Sequence, residues 1–444
     1  MSSGRLLPSK IYPVTYQSQD VSFAEWISLL TLALAPLIAH IIAGVPRPSY
    51  LSRSRPKWHE SLPHYNPTSI MWRYAAITDR RIRSNAWDRA IMAPTNALFW
   101  TARGWDGSEE MVTTSLSYCT HLPEHSKVSL FSSEMIKSLI VTVQGVQAVF
   151  VLGSGLGGSA ISDDFVLTMA VDKIFYPIAF VGLLRLCCGL WLTEEFTYTT
   201  RAVGHELGHI RVHQEDDSRS SVDSLLDESA IPAATEKFKT TSYWGSRCFR
   251  TAFLLVALGL WVMCAMYLLP GIKGGMRYTM TSLLVALFYL VLLMATSIIC
   301  SYYFVRGHTT TIIPCVGSAW YKAYTIFIQT FAVALIVISC IETRRSPCGN
   351  YTSEAGGDGD AFACYSDRVT SVVRLNPRDS SNFGYTTTYP RQDQENNTLL
   401  GDGEYWVYNF TGHCLGNVDF SRAQRARTVG VNNVSEIGSW DPGY

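Results

Sequence analysis

The sequence predicts an all-α membrane protein, a polytopic bundle of about six transmembrane helices. Three observations lead to this prediction: six long apolar stretches, an uneven distribution of Lys and Arg between them, and a cluster of glycosylation sequons near one end of the chain. Although only 48% of the 444 residues are apolar, that average mixes the apolar stretches with long polar segments. The net charge of zero indicates no concentrated basic surface, so we expect no nucleic-acid partner.

Each of the six apolar stretches is about as long as a membrane-spanning helix. A span needs about 20 mostly apolar residues, and only helices or closed barrels pair all backbone groups in hydrocarbon. The predicted spans are 26–45, 139–158, 174–193, 251–270, 280–304 and 323–341. The second is weaker because it contains Gln144, Gln147 and several glycines. The third contains Arg185, which would lie at its end if the span began at Phe165. Counts of five or seven spans therefore stay open.

The positions of Lys and Arg predict which segments face the cytosol, where these residues are in excess. Segment 46–134 contains eleven of them and segment 194–249 contains six. We therefore predict two cytosolic loops: 46–134, which includes amphipathic helices, and the acidic, Ser-rich 194–249. The N-terminal segment 1–25 is then external, and the tail 342–444 is lumenal or extracellular. Arg344 and Arg345 oppose this orientation, because they directly follow the sixth span.

The sequons agree with an external tail. The chain has four Asn-x-Ser/Thr sequons, and all of them lie beyond the last predicted span. They begin at Asn350, Asn396, Asn409 and Asn433. Glycosylation of Asn takes place on the lumenal side of the secretory pathway, so we predict a glycosylated tail. The pattern suits the plasma membrane and secretory-pathway or vacuolar membranes equally.

The tail also contains cysteines and short strand-like runs. Cys348, Cys364 and Cys414 would lie in an oxidising compartment, where two of them can pair. We predict Cys348–Cys364 as a possible disulfide, although spacing does not determine connectivity. The runs YTTTY and EYWVYNF favour either a small β-rich module or a loosely ordered tail.

Residues 69–84 form a basic amphipathic pattern. Ile70, Tyr74 and Ile77 share one helical face, and four arginines surround it. Such a helix can lie in the headgroup layer of a bilayer and contact anionic lipids. It can equally pack against the other cytosolic parts, and the sequence leaves both alternatives open.

Four blocks of sequence resemble a known family. NPTSIMWRYAAITDRR, NALFWTARGWDGSEEM, YYFVRGHTTTIIPC and ETRRSPCGNYTS are similar to blocks of an uncharacterised family of filamentous-fungal multipass membrane proteins. The resemblance covers most of the chain. It implies a membrane location and a similar pattern of spans, and it implies no activity.

The motif HELGH is the strongest chemical signal. His205 and His209 would lie on one face of a helix, where they can hold zinc while Glu206 polarises a bound water. The surrounding text AVGHELGHIRVH resembles membrane-embedded zinc peptidases, which implies these two histidines as metal ligands and Glu206 as general base. However, Arg211 replaces the usual apolar residue, and no recognisable third-ligand segment follows. We therefore expect no cofactor, with zinc only as the alternative.

Two further patterns have simpler explanations. The segment from Gly153 to Gly158 satisfies GxGxxG, but a dinucleotide site needs a preceding strand within a soluble βαβ unit, so we interpret it as the end of a membrane helix. Arg185 is a functional candidate because charges within spans are costly, and His40, Gln144 and Gln147 are possible polar neighbours. The simpler interpretation is that Arg185 extends to the cytosolic headgroups.

The sequence thus predicts a multipass membrane protein without assigning an activity. We expect a non-enzymatic receptor-like, scaffolding or transport protein whose partners, apart from the lipid bilayer, are not indicated. The alternative function is a membrane zinc metallopeptidase that uses residues 205–209.

Overall fold

The computed structural model describes residues 10–154, 169–201, 237–268, 277–345 and 351–354, together with the backbone of three strands between 383 and 418. It is mostly helical. The α-helices, numbered in chain order, are α1 (Phe23–Gly44), α2 (Trp58–Ser61), α3 (Pro67–Arg83), α4 (Arg89–Asn96), α5 (Met111–Thr114), α6 (Ser133–Ser154), α7 (Tyr176–Gly182), α8 (Trp244–Leu268), α9 (Met280–Val305) and α10 (Ala319–Glu342).

Four of these helices, α1, α8, α9 and α10, are long and apolar enough to cross a membrane. Four predicted stretches, 26–45, 251–270, 280–304 and 323–341, are thereby confirmed as long apolar helices. Helix α1 begins at a capping box in which Ser22 and Glu25 each accept a backbone N–H, which satisfies donors that the first turn leaves open. The described residues thus form a helical protein suited to a membrane.

The second and third predicted spans look different in the structure. The stretch 139–158 corresponds to α6, which starts earlier, at Ser133, and whose continuation beyond Ser154 lies outside the described residues. The prediction of one continuous helix over 174–193 is wrong. A 3-10 turn at Val171–Lys173, helix α7 and a 3-10 helix at Leu183–Cys187 follow one another there. Pro177 near the start of α7 has no N–H to continue a helix from the preceding turn.

Contacts between helix ends define two ends of the bundle. At the first, which we call the tail end, the Thr281 N–H donates to Glu342 Oε2 at 2.7 Å, and the Gln17 N–H donates to Ile341 O at 3.1 Å. The opposite end, the loop end, contains the C-terminus of α1, the start of α6 and the C-terminus of α9. Each end has its own apolar core. One surrounds Trp72 and Phe304, and the other surrounds Phe175 and Phe288.

Helix α3 is packed among the helices at the loop end. Its N-cap Asn66 accepts the Thr68 N–H and donates to Thr325 of α10 at 3.1 Å. The Thr68 hydroxyl meets Thr296 of α9 at 2.8 Å, and Ser69 meets Tyr321 at 2.7 Å. A helix with a polar composition can be buried here because hydroxyl groups of α9 and α10 satisfy its polar side chains.

The burial of α3 bears on the two interpretations of residues 69–84. Arg73, Arg80 and Arg83 are all buried by protein, and only Arg81 and Ile82 are half-buried. The structure therefore has the packed helix. Little surface of α3 beyond the half-buried Arg81 and Ile82 is free for lipid, and contact of 69–84 with anionic headgroups stays a prediction.

Short strands complete the loop end. β1 (Pro48–Tyr50) pairs in parallel with β2 (Leu98–Thr101), which pairs antiparallel with β3 (Gly104–Asp106). The hairpin turn uses Gly104 at φ 109°, a conformation that favours glycine. Segment 46–134 is thus a folded module attached to the bundle, and we call residues 46–132 the loop module.

The tail contains strands where the sequence predicts them. β4 (Phe383–Tyr389), β5 (Glu404–Asn409) and β6 (Cys414–Val418) form an antiparallel sheet. These strands contain YTTTY and most of EYWVYNF, which confirms the strand-like runs. Nearer the bundle, Arg344–Arg345 pairs with Tyr351–Thr352.

Candidate functional site

Arg185 lies in a buried ionic cluster at the loop end. It is 1% exposed. Its Nη2 lies 3.0 Å from Glu134 Oε2, and its Nε donates to the Ser138 hydroxyl at 2.9 Å. Its Nη1 donates to the carbonyl of Ala43. One side chain thereby joins the 3-10 helix Leu183–Cys187, the start of α6 and the end of α1.

The interpretation that Arg185 extends to lipid headgroups is wrong. Glu134 supplies a carboxylate within the protein, and its other oxygen bonds Lys137 at 2.6 Å. Lys137 in turn lies 3.1 Å from Glu194. Two cations and two carboxylates compensate one another along this chain. A charge that is paired and hydrogen-bonded can stay buried, whereas an isolated one is very costly.

The predicted polar neighbours of Arg185 divide into two groups. His40 is buried, with its ring edge-on to Tyr74 at a centroid distance of 6.4 Å, and neither of its ring nitrogens has a hydrogen-bond partner. Gln144 lines an apolar groove between α1 and α6, and Gln147 is exposed. Of the three, only His40 belongs with the buried groups around Arg185.

A second ionic cluster ties the loop module to a membrane helix. Asp79 of α3 receives Arg250 of α8 in a two-point pair, with Nη2–Oδ2 at 2.7 Å and Nε–Oδ1 at 3.0 Å. Ser246 also donates to Oδ1, and Arg83 Nε lies 2.9 Å from Oδ2. Arg83 further pairs with Glu109. We call the contacts of Asp79 with Arg250, Ser246 and Arg83 the Asp79 clamp.

The charge of Asp79 is stable at ordinary pH. Burial alone raises the pKa of a carboxyl, but the hydrogen bond from Arg250 and the charges of Arg83 and Arg250 outweigh it, so the pKa of Asp79 lies below the ordinary 3.8. Sequence analysis missed this site. The available signal was that Asp79 is the only acidic residue of α3, four positions before Arg83.

Arg250 also caps a helix. Its Nη1 donates to Phe304 O at 3.3 Å and its Nη2 to His308 O at 3.2 Å. Phe304 O also accepts the Gly307 N–H at 3.1 Å, and a cation beside the last carbonyls of a helix interacts favourably with the helix dipole. The same guanidinium therefore connects α3, α8 and the end of α9.

Most other predicted site residues lie outside the described residues: His205, Glu206, His209, Asn350, Asn396, Asn433, Cys348 and Cys364. Asn409 is the last residue of β5. Within the part of the chain that the structure describes, no group of three or more His, Cys, Asp or Glu is placed to hold a metal ion. Gly153 continues α6, so a helix rather than the strand of a dinucleotide site precedes the GxGxxG segment.

Comparison with known proteins assigns no function to this chain. No protein-family model, no curated protein and no solved structure matches this chain. The resemblance to a fungal membrane-protein family therefore stays a prediction. Function has to be argued from the two ionic clusters and from the bundle that holds them.

Proposed function

We propose that this protein is a non-enzymatic, receptor-like scaffold that crosses the membrane six times and holds the loop module at the cytosolic face. The observation that carries the proposal is the Asp79 clamp. Its buried ion pair between α3 and α8 is supplemented by the hydroxyl contacts of α3 with α9 and α10. A module joined in this way presents its outer surface in a constant position relative to the membrane.

Contacts at both ends of the bundle support six crossings. Residues 171–187 begin at the tail end, where the Val171 N–H donates to Thr343 Oγ1 at 3.0 Å. They finish at the loop end, where Arg185 meets Glu134. Seventeen residues at about 1.5–2.0 Å each cover roughly 25–34 Å, which is close to the apolar thickness of a bilayer. We assign this segment as the third crossing and α6 as the second.

The orientation follows the distribution of Lys and Arg. The loop end carries the arginine-rich loop module, so we assign it to the cytosol. The two arginines that oppose this orientation have local partners at the tail end. Arg345 pairs with Glu25 at 2.7 Å, and Arg344 donates to Glu354 O at 2.6 Å. Because both charges have partners nearby, we give Arg344 and Arg345 less weight when the Lys and Arg on the two sides of the membrane are compared. We therefore assign the tail to the lumen, with glycans on its four sequons.

Complementation of a deletion strain tests the scaffold. We expect Arg250→Gln, which breaks the clamp, to be inserted in the membrane but to lose rescue of the deletion phenotype. Glu206→Gln should rescue fully. Arg247→Gln serves as the matched control, because Arg247 lies one turn earlier on α8 and is exposed.

Two outcomes would replace the proposal. Loss of rescue by Glu206→Gln at normal abundance, together with stoichiometric zinc that His209→Ala removes, indicates the peptidase. A solute flux in proteoliposomes that Arg185→Gln abolishes indicates a transporter. The unpartnered nitrogens of His40 beside the Arg185 cluster are the observation that makes transport the second candidate.

A further inference from the structure

A small cavity lies where the end of α1, helix α3 and the segment after α9 meet. Its lining includes Gly44, His64, Ser69, Arg73, Leu98 and Thr311. It offers about 20 Å³ to the centre of a water-sized sphere. A cavity needs only about 10–15 Å³ by this measure to hold one water. The space therefore suits a single water or an ion of similar size.

Two side chains in the cavity wall have unused hydrogen-bonding nitrogens. Arg73 is 6% exposed, and so is His64. Arg73 Nη2 donates to Asn96 O at 2.5 Å, while its Nε and Nη1 have no partner. The Nε2 of His64 has none either. A buried donor without a partner costs roughly 1–3 kcal/mol, and more if it is charged.

Arg73 also lacks a carboxylate in direct contact. Among the described residues no carboxylate lies within ion-pair distance of it, whereas Arg83, Arg185 and Arg250 each have one. Burial lowers the pKa of Arg73 to about 10, so the guanidinium is still charged at neutral pH. Burial and the nearby Arg73 charge lower the pKa of His64 to about 3, so its neutral ring has one N–H to donate.

Arg80 provides an internal comparison. It is fully buried, and its Nε and Nη1 are also unpartnered. Carboxylates act on both charges from a distance, those of Glu109, Asp79 and Asp106 on Arg80 and that of Glu194 on Arg73. The difference is that Arg73 lines the cavity and Arg80 does not.

We propose that this cavity binds one monatomic anion of chloride size between the guanidinium of Arg73 and the Nε2–H of His64. The anion supplies the missing countercharge and accepts the unused N–H groups. Because α1, α3 and residues 311–313 all contribute to the wall, the bound anion connects three segments and stabilises the loop end.

Thermal unfolding of the purified full-length protein tests the site. In detergent at constant ionic strength, we expect chloride and bromide to raise the Tm in a saturable manner, whereas gluconate does not. Arg73→Gln should abolish the saturable response. Arg89→Gln, a change at an exposed arginine, should leave it intact. Arg73→Lys, which keeps the charge, should retain part of it.

Two further measurements guard against a variant that fails to fold. His64→Phe keeps an aromatic ring beside Trp105, which lies at a centroid distance of 4.3 Å, but removes the N–H. It should raise the chloride concentration for half-maximal stabilisation by about tenfold, the effect of one hydrogen bond to a charged group. In equilibrium dialysis, the bromide retained by the wild-type protein above the free concentration should approach one ion per chain at saturation. If no bromide is retained and the wild-type Tm does not respond, water alone fills the cavity and the proposal is wrong; an unchanged response in Arg73→Gln also overturns it.

Discussion

At the scale of single residues, the loop end depends on buried charges that are paired across long sequence distances. Glu134 and Arg185 are 51 positions apart, and Asp79 and Arg250 are 171 apart. A buried pair adds little net free energy compared with apolar residues, but removal of one partner leaves the other charge uncompensated. We therefore expect substitution of any one of these residues to be costly.

Arg185→Leu should destabilise the protein by about 3–5 kcal/mol, because Glu134 then loses its buried cation. The measurement is chemical or thermal unfolding of purified protein in detergent. Arg185→Leu combined with Glu134→Leu should recover part of the loss. If the Arg185→Leu variant is as stable as wild type, the pairing is contradicted. The interpretation that Arg185 extends to the lipid headgroups would then be restored.

Asp79→Asn should also lower stability by about 3–5 kcal/mol, and its effect depends on pH. The pKa of Asp79 in the folded protein lies below the ordinary 3.8. Its ion pairs therefore contribute fully above that ordinary value, and the contribution is lost as the pH falls through the folded-state pKa.

The pH dependence is measured as the difference in Tm between wild type and Asp79→Asn. The difference should be constant near neutral pH and should shrink as the pH falls below about 4. Glu110→Gln, at an exposed carboxylate of the same module, provides the control and should show no such change. A difference that persists undiminished at the lowest pH would rule out the clamp as its origin.

At the scale of elements, the close contact between α6 and the segment 171–187 depends on a glycine. Gly145 lies in α6 where it faces α7 and the 3-10 helix after it. A Cβ at this position would lie 2.5 Å from Leu183 Cδ2 and 2.9 Å from the backbone oxygen of Ala179. Glycine is required there because the backbone oxygen cannot rotate away. The irregular segment 171–187 thus packs so closely against α6 that a residue larger than glycine does not fit at position 145.

Gly145→Ala should therefore destabilise the protein by about 1–3 kcal/mol through overpacking. Gly259 of α8 is the matched control, because a Cβ added there would have no neighbouring atom within 4 Å. Gly259→Ala should be neutral or stabilising by up to about 1 kcal/mol, since alanine favours the helix more than glycine does. Equal behaviour of the two variants in thermal unfolding would argue against close packing of α6.

At the scale of the whole molecule, the two ends of the bundle differ in how they are held. The loop end has buried ion pairs and an enclosed polar helix, α3. The tail end has hydrogen bonds such as Gln17 N–H to Ile341 O at 3.1 Å and the partly exposed Glu25–Arg345 pair. Exposed pairs contribute about 0–1 kcal/mol, so we expect the loss of the Glu25–Arg345 pair to cost less than the loss of one partner of a buried pair at the loop end.

The orientation of the whole molecule has a direct test. Enzymatic deglycosylation should increase the gel mobility of the wild-type protein, because glycans are added only in the lumen. Changing Asn350, Asn396, Asn409 and Asn433 together to Gln should abolish that shift. In sealed microsomes, external protease should spare the tail and cleave the loop module. Digestion of the tail in intact vesicles would reverse the proposed orientation.

The sequence by itself determined the four long apolar helices and the strands of the tail, because length, hydropathy and alternation are properties of contiguous residues. It did not reveal that 174–193 is a broken segment, since a continuous helix and an interrupted one have the same apolar composition. It also left open whether residues 69–84 meet lipid or protein.

Only the tertiary structure decided those points and the partners of the buried charges. The sequence showed Arg185 and Arg73 as isolated cations, and the groups around each of them come from residues distant in the chain. Glu134 pairs with Arg185 and Arg250 with Asp79, while Arg73 meets no carboxylate among the described residues. The physical reason is that a buried charge is stabilised by whatever the fold places within about 3 Å of it, and the order of residues along the chain does not contain that distance.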